Sequence, residues 1–85
     1  MRKKTNILQE AIERAQHRRS LPSPVECRLL RLRAGLSQSE IAESIGTTAA
    51  TVSRYETGHR CPRGPILDRY IAACEELVHV NKQSA

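Results

Sequence analysis

The sequence predicts an all-α fold of about four to five short helices with an N-terminal helical extension, and three observations support this class. Apolar residues recur every three or four positions along most of the chain, which is the spacing of one helix face. Two capping boxes, one from Ser23 to Glu26 and one from Ser37 to Glu40, mark helix starts. Gly35, Gly46 and Gly58 follow apolar segments and are suited to end them.

The first helix is expected to run from Thr5 to about His17, before a linker that contains Pro22 and Pro24. Proline removes a backbone donor and disfavours helix in the residue before it. The chain is therefore divided into residues 1–22 (basic arm, helix and linker), residues 23–80 (helical domain) and residues 81–85 (a polar, frayed tail).

Four further helices are expected in the domain. The first is predicted to place Val25, Leu29 and Leu32, with Leu30, against the core. The expected ranges are Ser23 to Gly35, Ser37 to Gly46, Ala49 to Thr57, and about Ile66 to Val78.

The charge of the chain is concentrated before residue 34. The formal net charge is +5, and residues 1–33 carry nine Lys and Arg against three Glu, a net charge of +6. A basic excess favours a polyanionic partner. Two Tyr are the only aromatic residues, which argues against modules that stack single-stranded bases on aromatic rings.

The three cysteines do not resemble a disulfide framework, because their number is odd and no CxxC pair occurs. A reducing cytoplasm fits this usage, and no apolar run approaches the ~20 residues of a membrane span. The spacing of His59, Cys61, Cys74 and His79 does not match common zinc sites. We therefore expect no metal. The sequence also shows no Gly-rich phosphate loop and no paired carboxylates of a catalytic site, so we expect no cofactor and no enzymatic activity.

The segment around Gly46 is typical of a helix-turn-helix, which consists of two short helices joined by a tight turn. Ala42 is small, so the second helix can cross close to it. Gly46 permits the positive φ that reverses the chain. Val52 and Tyr55 are positioned to pack the second helix against the rest of the domain.

The segment from Gln38 to Gly58 resembles the Cro/CI repressor family, also called the XRE family. The Leu36-Ser-Gln start, the Ser53-Arg-Tyr-Glu-Thr-Gly end, and the Arg60 and Pro62 that follow all carry the resemblance. It extends from about Val25 to Leu77. The resemblance implies a lambda-repressor-like helical bundle that binds double-stranded DNA with the helix of residues 48–57.

Carried over by position, the resemblance also implies residue roles. Arg31 and Glu56 match a buried pair that fixes the first core helix to the recognition helix. The implied base contacts are Thr48, Ala49, Ala50 and Arg54. The implied phosphate contacts are Gln38, Thr51 and Ser53, to which the basic loop adds Arg60 and Arg63.

The residue types agree with most of these roles. Alanine and the threonine methyl suit thymine methyl groups, and Arg54 suits guanine O6 and N7. Ala49 and Ala50 depart from the family, which often has long polar side chains there. Direct base reading is therefore expected to be sparse, with DNA shape or the N-terminal arm contributing the rest.

We expect a DNA-binding transcription regulator that acts as a homodimeric repressor of a phage, plasmid or similar mobile element, in the cytoplasm and near the nucleoid. The alternative is an antitoxin that neutralises a toxin protein, with the segment Thr5 to Ala15 as the toxin-binding appendage. Three roles for the N-terminal helix stay open: packing on the domain, gripping phosphates, or binding another protein chain. A further alternative is an interaction module that keeps this fold but does not bind DNA. Gln38, Arg54 and the basic loop from Arg60 to Arg63 argue against it.

Overall fold

The computed structural model describes residues 7–83, which form five α-helices and, within that range, no β-strand. The helices are α1 (Ile7–Arg18), α2 (Pro24–Arg33), α3 (Gln38–Ile45), α4 (Ala49–Thr57) and α5 (Gly64–Gln83). The predicted all-α class is confirmed. The basic arm Met1 to Lys4 and the expected helix start at Thr5 lie outside the described residues.

Reciprocal capping boxes start α2 and α3, as the sequence predicts. The Ser23 hydroxyl accepts a hydrogen bond from the Glu26 amide, and the Glu26 carboxylate accepts one from the Ser23 amide. Ser37 and Glu40 make the same exchange at 3.0 and 2.8 Å. Each box satisfies two amides that the first turn of a helix leaves without partners.

The core lies where α2, α3 and α4 pack with α5. Helices α2 and α3 each contact both α4 and α5. The aromatic rings of Tyr55 on α4 and Tyr70 on α5 lie 5.6 Å apart at its centre. The fully buried side chains Ile45, Val52 and Cys74 come from three different helices, so the core depends on all of them.

The predicted inward face of α2 was wrong at three of its four residues, and only Leu30 packs against the core as expected. Val25, Leu29 and Leu32 are exposed, at 65, 37 and 46 % of their surface. The inward residues are Cys27, Leu30, Arg31 and Ala34, which recur at the spacing of one helix face. The helix is rotated because Arg31, a polar residue, is buried against Glu56, and apolar spacing alone gives no sign of this.

Helix α5 is longer than predicted at both ends. It begins at Gly64 and continues through the expected frayed tail to Gln83. No Gly or Pro follows Val78 to end the helix. The Asn81 amide also donates a hydrogen bond of 3.4 Å to the carbonyl of Leu30, which attaches this end of α5 to α2.

Helix α1 lies at the edge of the domain and has no buried residue. Ile7 and Leu8 are 83 and 72 % exposed. Near its C-terminal end, His17 Nε2 lies 2.5 Å from Asp68 Oδ1 on α5, which links the extension to the domain. None of the helices within residues 7–83 combines the length and apolar character that crossing a membrane requires.

Candidate nucleic-acid interface

The turn between α3 and α4 sets the relative position of the two helices. Gly46 has φ +85°, a left-handed conformation that residues with a Cβ rarely adopt. The Arg69 guanidinium, from α5, donates a hydrogen bond of 3.3 Å to the Ile45 carbonyl at the end of α3. Thr48 then caps α4 by accepting a hydrogen bond from the Thr51 amide. The turn is therefore held by its own backbone and by α5.

The two sides of α4 have opposite environments. Val52, Tyr55 and Glu56 are buried against the domain. Ala50 and Arg54 are exposed and lie four residues apart, so they share one outward stripe of the helix. Because the domain covers the other side, this stripe is the surface of α4 that is open to a partner.

A buried salt bridge fixes the inner side of α4 to α2. Arg31 donates to both carboxylate oxygens of Glu56, from Nε at 2.7 Å and from Nη2 at 2.9 Å. Arg31 Nη1 donates a further hydrogen bond of 2.9 Å to the Leu36 carbonyl, between α2 and α3. One guanidinium therefore connects α2, the following loop and α4.

The electrostatics of this pair favour its ionised form. Burial opposes ionisation of Glu56, but the hydrogen bonds from Arg31 and Gln38 and the charge of Arg31 outweigh it, so the pKa of Glu56 is lowered. The hydrogen bond to Glu56 raises the pKa of Arg31 despite burial. Both groups carry full charges at neutral pH.

Gln38, a predicted phosphate contact, is partly engaged inside the protein. Its side-chain amide donates a hydrogen bond of 3.1 Å to Glu56 Oε1. Gln38 is the first residue of α3, and this hydrogen bond holds its half-buried side chain beside the buried salt bridge. An amide carries two N–H donors and a carbonyl oxygen, so this hydrogen bond uses one of its donors.

The structure brings the residues with predicted base contacts to the start and outer side of α4. Thr48, Ala50 and Arg54 are exposed, whereas Ala49 is half-buried. The Thr48 hydroxyl lies 3.0 Å from the Thr51 hydroxyl and also serves as the helix cap. The hydroxyl is thus engaged within α4, which leaves the methyl group of Thr48 for a partner.

The predicted phosphate contacts form two groups. Thr51 and Ser53 are half-buried on the flanks of α4. Arg60 and Arg63 are exposed in the loop after α4, where they line one cleft together with His59. The second group therefore presents positive charge beside the C-terminal end of α4.

Helix α1 places further arginines beside this second group. Phosphate contact by α1 was one of the roles left open by the sequence, but its position next to the loop after α4 was not predicted. Arg14 and Arg18 line a cleft together with Arg63. Arg18 also lines a cavity that Arg60 borders. We refer to Arg14, Arg18, Arg60 and Arg63 as the basic edge. Arg18 and Arg63 are 45 positions apart in sequence, and they line one cleft because His17 on α1 contacts Asp68 near the start of α5.

Sequence reasoning also missed Arg69, which holds the turn through the Ile45 carbonyl. Arg69 lies in the first half of an amphipathic helix, and no sequence pattern indicates that an arginine there contacts a carbonyl of another helix. Only the side-by-side packing of α3 and α5 brings its guanidinium to the end of α3.

The comparison with known families agrees with this geometry. A family model described as Helix-turn-helix (HTH_3) matches residues 28–76, which is more than half of the chain. Neither curated proteins nor solved structures gave a significant match. The matched residues contain the turn, the outward stripe of α4, the Arg31–Glu56 salt bridge and the loop with Arg60 and Arg63. The chain therefore belongs to the XRE, or Cro/CI, type of helix-turn-helix family, whose members are DNA-binding transcription regulators.

Proposed function

We propose that this regulator binds double-stranded DNA sequence-specifically as a repressor, with α4 in the major groove. One observation carries the proposal: Arg54 and Ala50 form an exposed stripe on a helix whose opposite side is fixed by a buried salt bridge. A rigid helix can hold a bidentate donor at a fixed position against a guanine edge.

In this arrangement Arg54 reads guanine, and Ala49, Ala50 and the Thr48 methyl group contact thymine methyls. Gln38, Thr51 and Ser53 contact phosphates beside α4, and Arg60 and Arg63 contact phosphates beyond its end. Because the small side chains at the start of α4 can make few base contacts, part of the specificity comes from the recognition of DNA shape by the remaining contacts. Repression follows where such a site overlaps a promoter, as in the phage, plasmid or similar mobile-element regulators that the Cro/CI resemblance suggests.

Selection of bound duplexes from a random DNA pool tests this function. The expected result is an enriched motif with guanine at one position of each half-site. A reporter with that motif between promoter and gene should then lose expression when the protein is produced. Equal recovery of all sequences would contradict sequence-specific binding, and increased reporter expression would contradict repression.

We further propose that the protein binds DNA as a homodimer on a two-fold-related site. One recognition helix covers too few base pairs for useful specificity, and half-sites about 34 Å apart would place two helices on one face of the duplex. A candidate contact surface is the groove between α2 and α5, to which Leu29 and Val78, both 37 % exposed, contribute apolar surface.

The same groove contains Glu26 and Arg33, one acidic and one basic residue. In a two-fold interface the same patch faces itself, so Glu26 of one copy can pair with Arg33 of the other. Sedimentation of the protein–DNA complex should give two chains per operator. Val78→Glu should reduce this to one chain, whereas Val25→Glu, an exposed position of α2 outside the groove, should not.

A second candidate function is that of an antitoxin, and the exposed apolar face of α1 favours it. Ile7, Leu8 and Ile12 are 83, 72 and 45 % exposed, which is unusual for three residues of one short helix. In this proposal α1 binds a toxin protein through that face. In cells that this protein rescues from a toxin, Leu8→Glu should abolish the rescue while DNA binding is retained. Full rescue by that variant would remove this candidate.

A further inference from the structure

Two of the three cysteines meet in the core although they are 47 residues apart. Cys27 Sγ, on α2, lies 3.7 Å from Cys74 Sγ, on α5, and both are free thiols. Their side chains are 3 and 1 % exposed. The pair lies on the inner sides of its helices, away from the outward stripe of α4, so DNA contact makes no use of it.

A short path leads from solvent to this pair. Cys27 lines a cavity of about 290 Å³ that also contacts Pro22 and Pro62, between the linker and the loop after α4. Cys61, which is exposed, borders the same cavity. A small oxidant can therefore approach Cys27 without unfolding of the domain, whereas Cys74 does not line that cavity.

We propose that Cys27 and Cys74 form a reversible redox site, which a peroxide converts into a disulfide that joins α2 to α5. The Cys27 thiolate attacks one peroxide oxygen, the O–O bond breaks, and Cys27 becomes a sulfenic acid while the other oxygen leaves as water after taking up a proton. Cys74 Sγ then attacks the Cys27 sulfur and displaces the sulfenic oxygen as a second water. In total, two thiols are oxidised and one peroxide is reduced to two waters.

The environments of the two thiols determine which one reacts with the peroxide and which one then forms the disulfide. The hydrogen bond between the two thiols lowers the pKa of Cys27, in spite of its burial. The same hydrogen bond and burial both raise the pKa of Cys74. Since the thiolate is the reactive form, Cys27 is the thiol that reacts with the oxidant and Cys74 is the one that resolves it.

The disulfide would close a loop of the chain that contains both helices of the helix-turn-helix. The closed loop from Cys27 to Cys74 contains all of α3 and α4, together with the turn between them. A covalent link across such a loop restricts the unfolded chain and raises resistance to unfolding. Oxidation would therefore stabilise the regulator under peroxide stress, and reduction by cellular thiols would reverse the effect.

The test uses the full chain with Cys61→Ser, which removes the exposed thiol that would otherwise link two molecules. Treatment with hydrogen peroxide should reduce the number of free thiols from two to zero and lower the intact mass by about 2 Da, two hydrogen atoms. Peptide mapping should recover Cys27 joined to Cys74, and dithiothreitol should restore both thiols. The oxidised form should also melt at a higher temperature than the reduced form.

The outcome that overturns the proposal is a folded protein that keeps both thiols at peroxide concentrations that oxidise Cys61 in the unmodified chain. Stable oxygen adducts on Cys27 without a disulfide would also overturn it. Adding dimedone, a sulfenic acid trap, during oxidation of the Cys61→Ser protein assigns the order of reaction, because the adduct should form on Cys27. A dimedone adduct on Cys74 would contradict the assigned roles, and this readout requires no substitution in the core.

Discussion

Glu56 and Arg54 lie two residues apart on α4 and serve opposite sides of it. Glu56 is 4 % exposed and accepts two hydrogen bonds from Arg31, whereas Arg54 is exposed. A bidentate bond between a planar guanidinium and a carboxylate resists rotation as well as separation. The salt bridge therefore sets the rotation of α4 about its axis, and with it the direction in which Arg54 faces.

Glu56→Ala is expected to destabilise the fold. Arg31 would remain buried without its anionic partner, and such a change costs about 3–5 kcal/mol. Chemical unfolding monitored by circular dichroism measures this change. Glu43→Ala is the matched control, because Glu43 is an exposed glutamate on α3 and should change stability little. If the two variants unfold alike, the Arg31–Glu56 pair does not support the domain.

The same pair predicts a pH dependence. Because the folded protein lowers the pKa of Glu56 below its ordinary value of 4.5, the folded state holds this carboxylate ionised more firmly than the unfolded state does. Its stabilisation is therefore fully present above about pH 4.5 and is lost as the pH falls towards the folded pKa.

Comparison with Glu56→Gln isolates this contribution, since glutamine does not titrate. The difference in unfolding free energy between wild type and Glu56→Gln should be constant from pH 7 to pH 5 and should shrink at lower pH. A difference that stays constant down to pH 3 would show that Glu56 does not titrate with folding.

The sequence predicted the helices and the turn better than it predicted which faces are buried. Capping boxes and turn glycines are local signals, and both boxes are present as expected. Apolar spacing gave three wrong inward residues on α2 because it does not indicate that Arg31 is buried. Only the Cro/CI resemblance pointed to the pairing of Arg31 with Glu56, which lies 25 residues away. Phosphate contact by α1 was one of three roles that the sequence left open. The sequence could not show that Arg18 and Arg63 line one cleft, because this depends on the contact of α1 with α5 through His17 and Asp68.

Gly46→Ala is expected to cost more stability than Gly35→Ala. Both glycines have positive φ, so alanine is strained at either position by about 1–2 kcal/mol. Only at Gly46 would the new Cβ meet another group, Arg69 Nη1 at 3.0 Å, whereas nothing lies within 4 Å at Gly35. Displacing Arg69 also removes its hydrogen bond to the Ile45 carbonyl, which adds about 1 kcal/mol.

Arg69→Ala provides the control for this mechanism. In that background the guanidinium is absent, so Gly46→Ala and Gly35→Ala should cost similar amounts. Thermal unfolding of the six proteins, three in each background, measures the coupling. A gap between the two glycine variants that persists without Arg69 would show that Arg69 is not its cause.

Arg54→Ala is expected to weaken specific binding by about 1–3 kcal/mol and to relax the preference at one base position of each half-site. The reason is that Arg54 is the exposed bidentate donor on the outward stripe of α4. Binding-site selection with the variant measures the preference, and unfolding experiments should show unchanged stability. An unaltered preference profile would exclude Arg54 as a base-reading residue.

The basic edge predicts a salt dependence that α4 alone would not give. Arg18 and Arg63 line one cleft, although Arg18 lies in the extension and Arg63 in the loop after α4. If both contact DNA phosphates, each displaces condensed counterions and adds about 0.9 to the slope of log affinity against log salt concentration. The double variant Arg18→Gln, Arg63→Gln should then lower that slope by about 2.

Phosphate contacts position a protein without reading bases, so the selected DNA motif should stay the same in this variant while its affinity for all duplexes falls. Arg28→Gln is the matched control, because Arg28 is also an exposed arginine but lines neither the clefts of the basic edge nor the groove between α2 and α5. Affinities for specific and random duplexes across a salt series separate the cases. An unchanged slope in the double variant would show that the basic edge does not contact DNA, and would favour the proposal that α1 binds another protein.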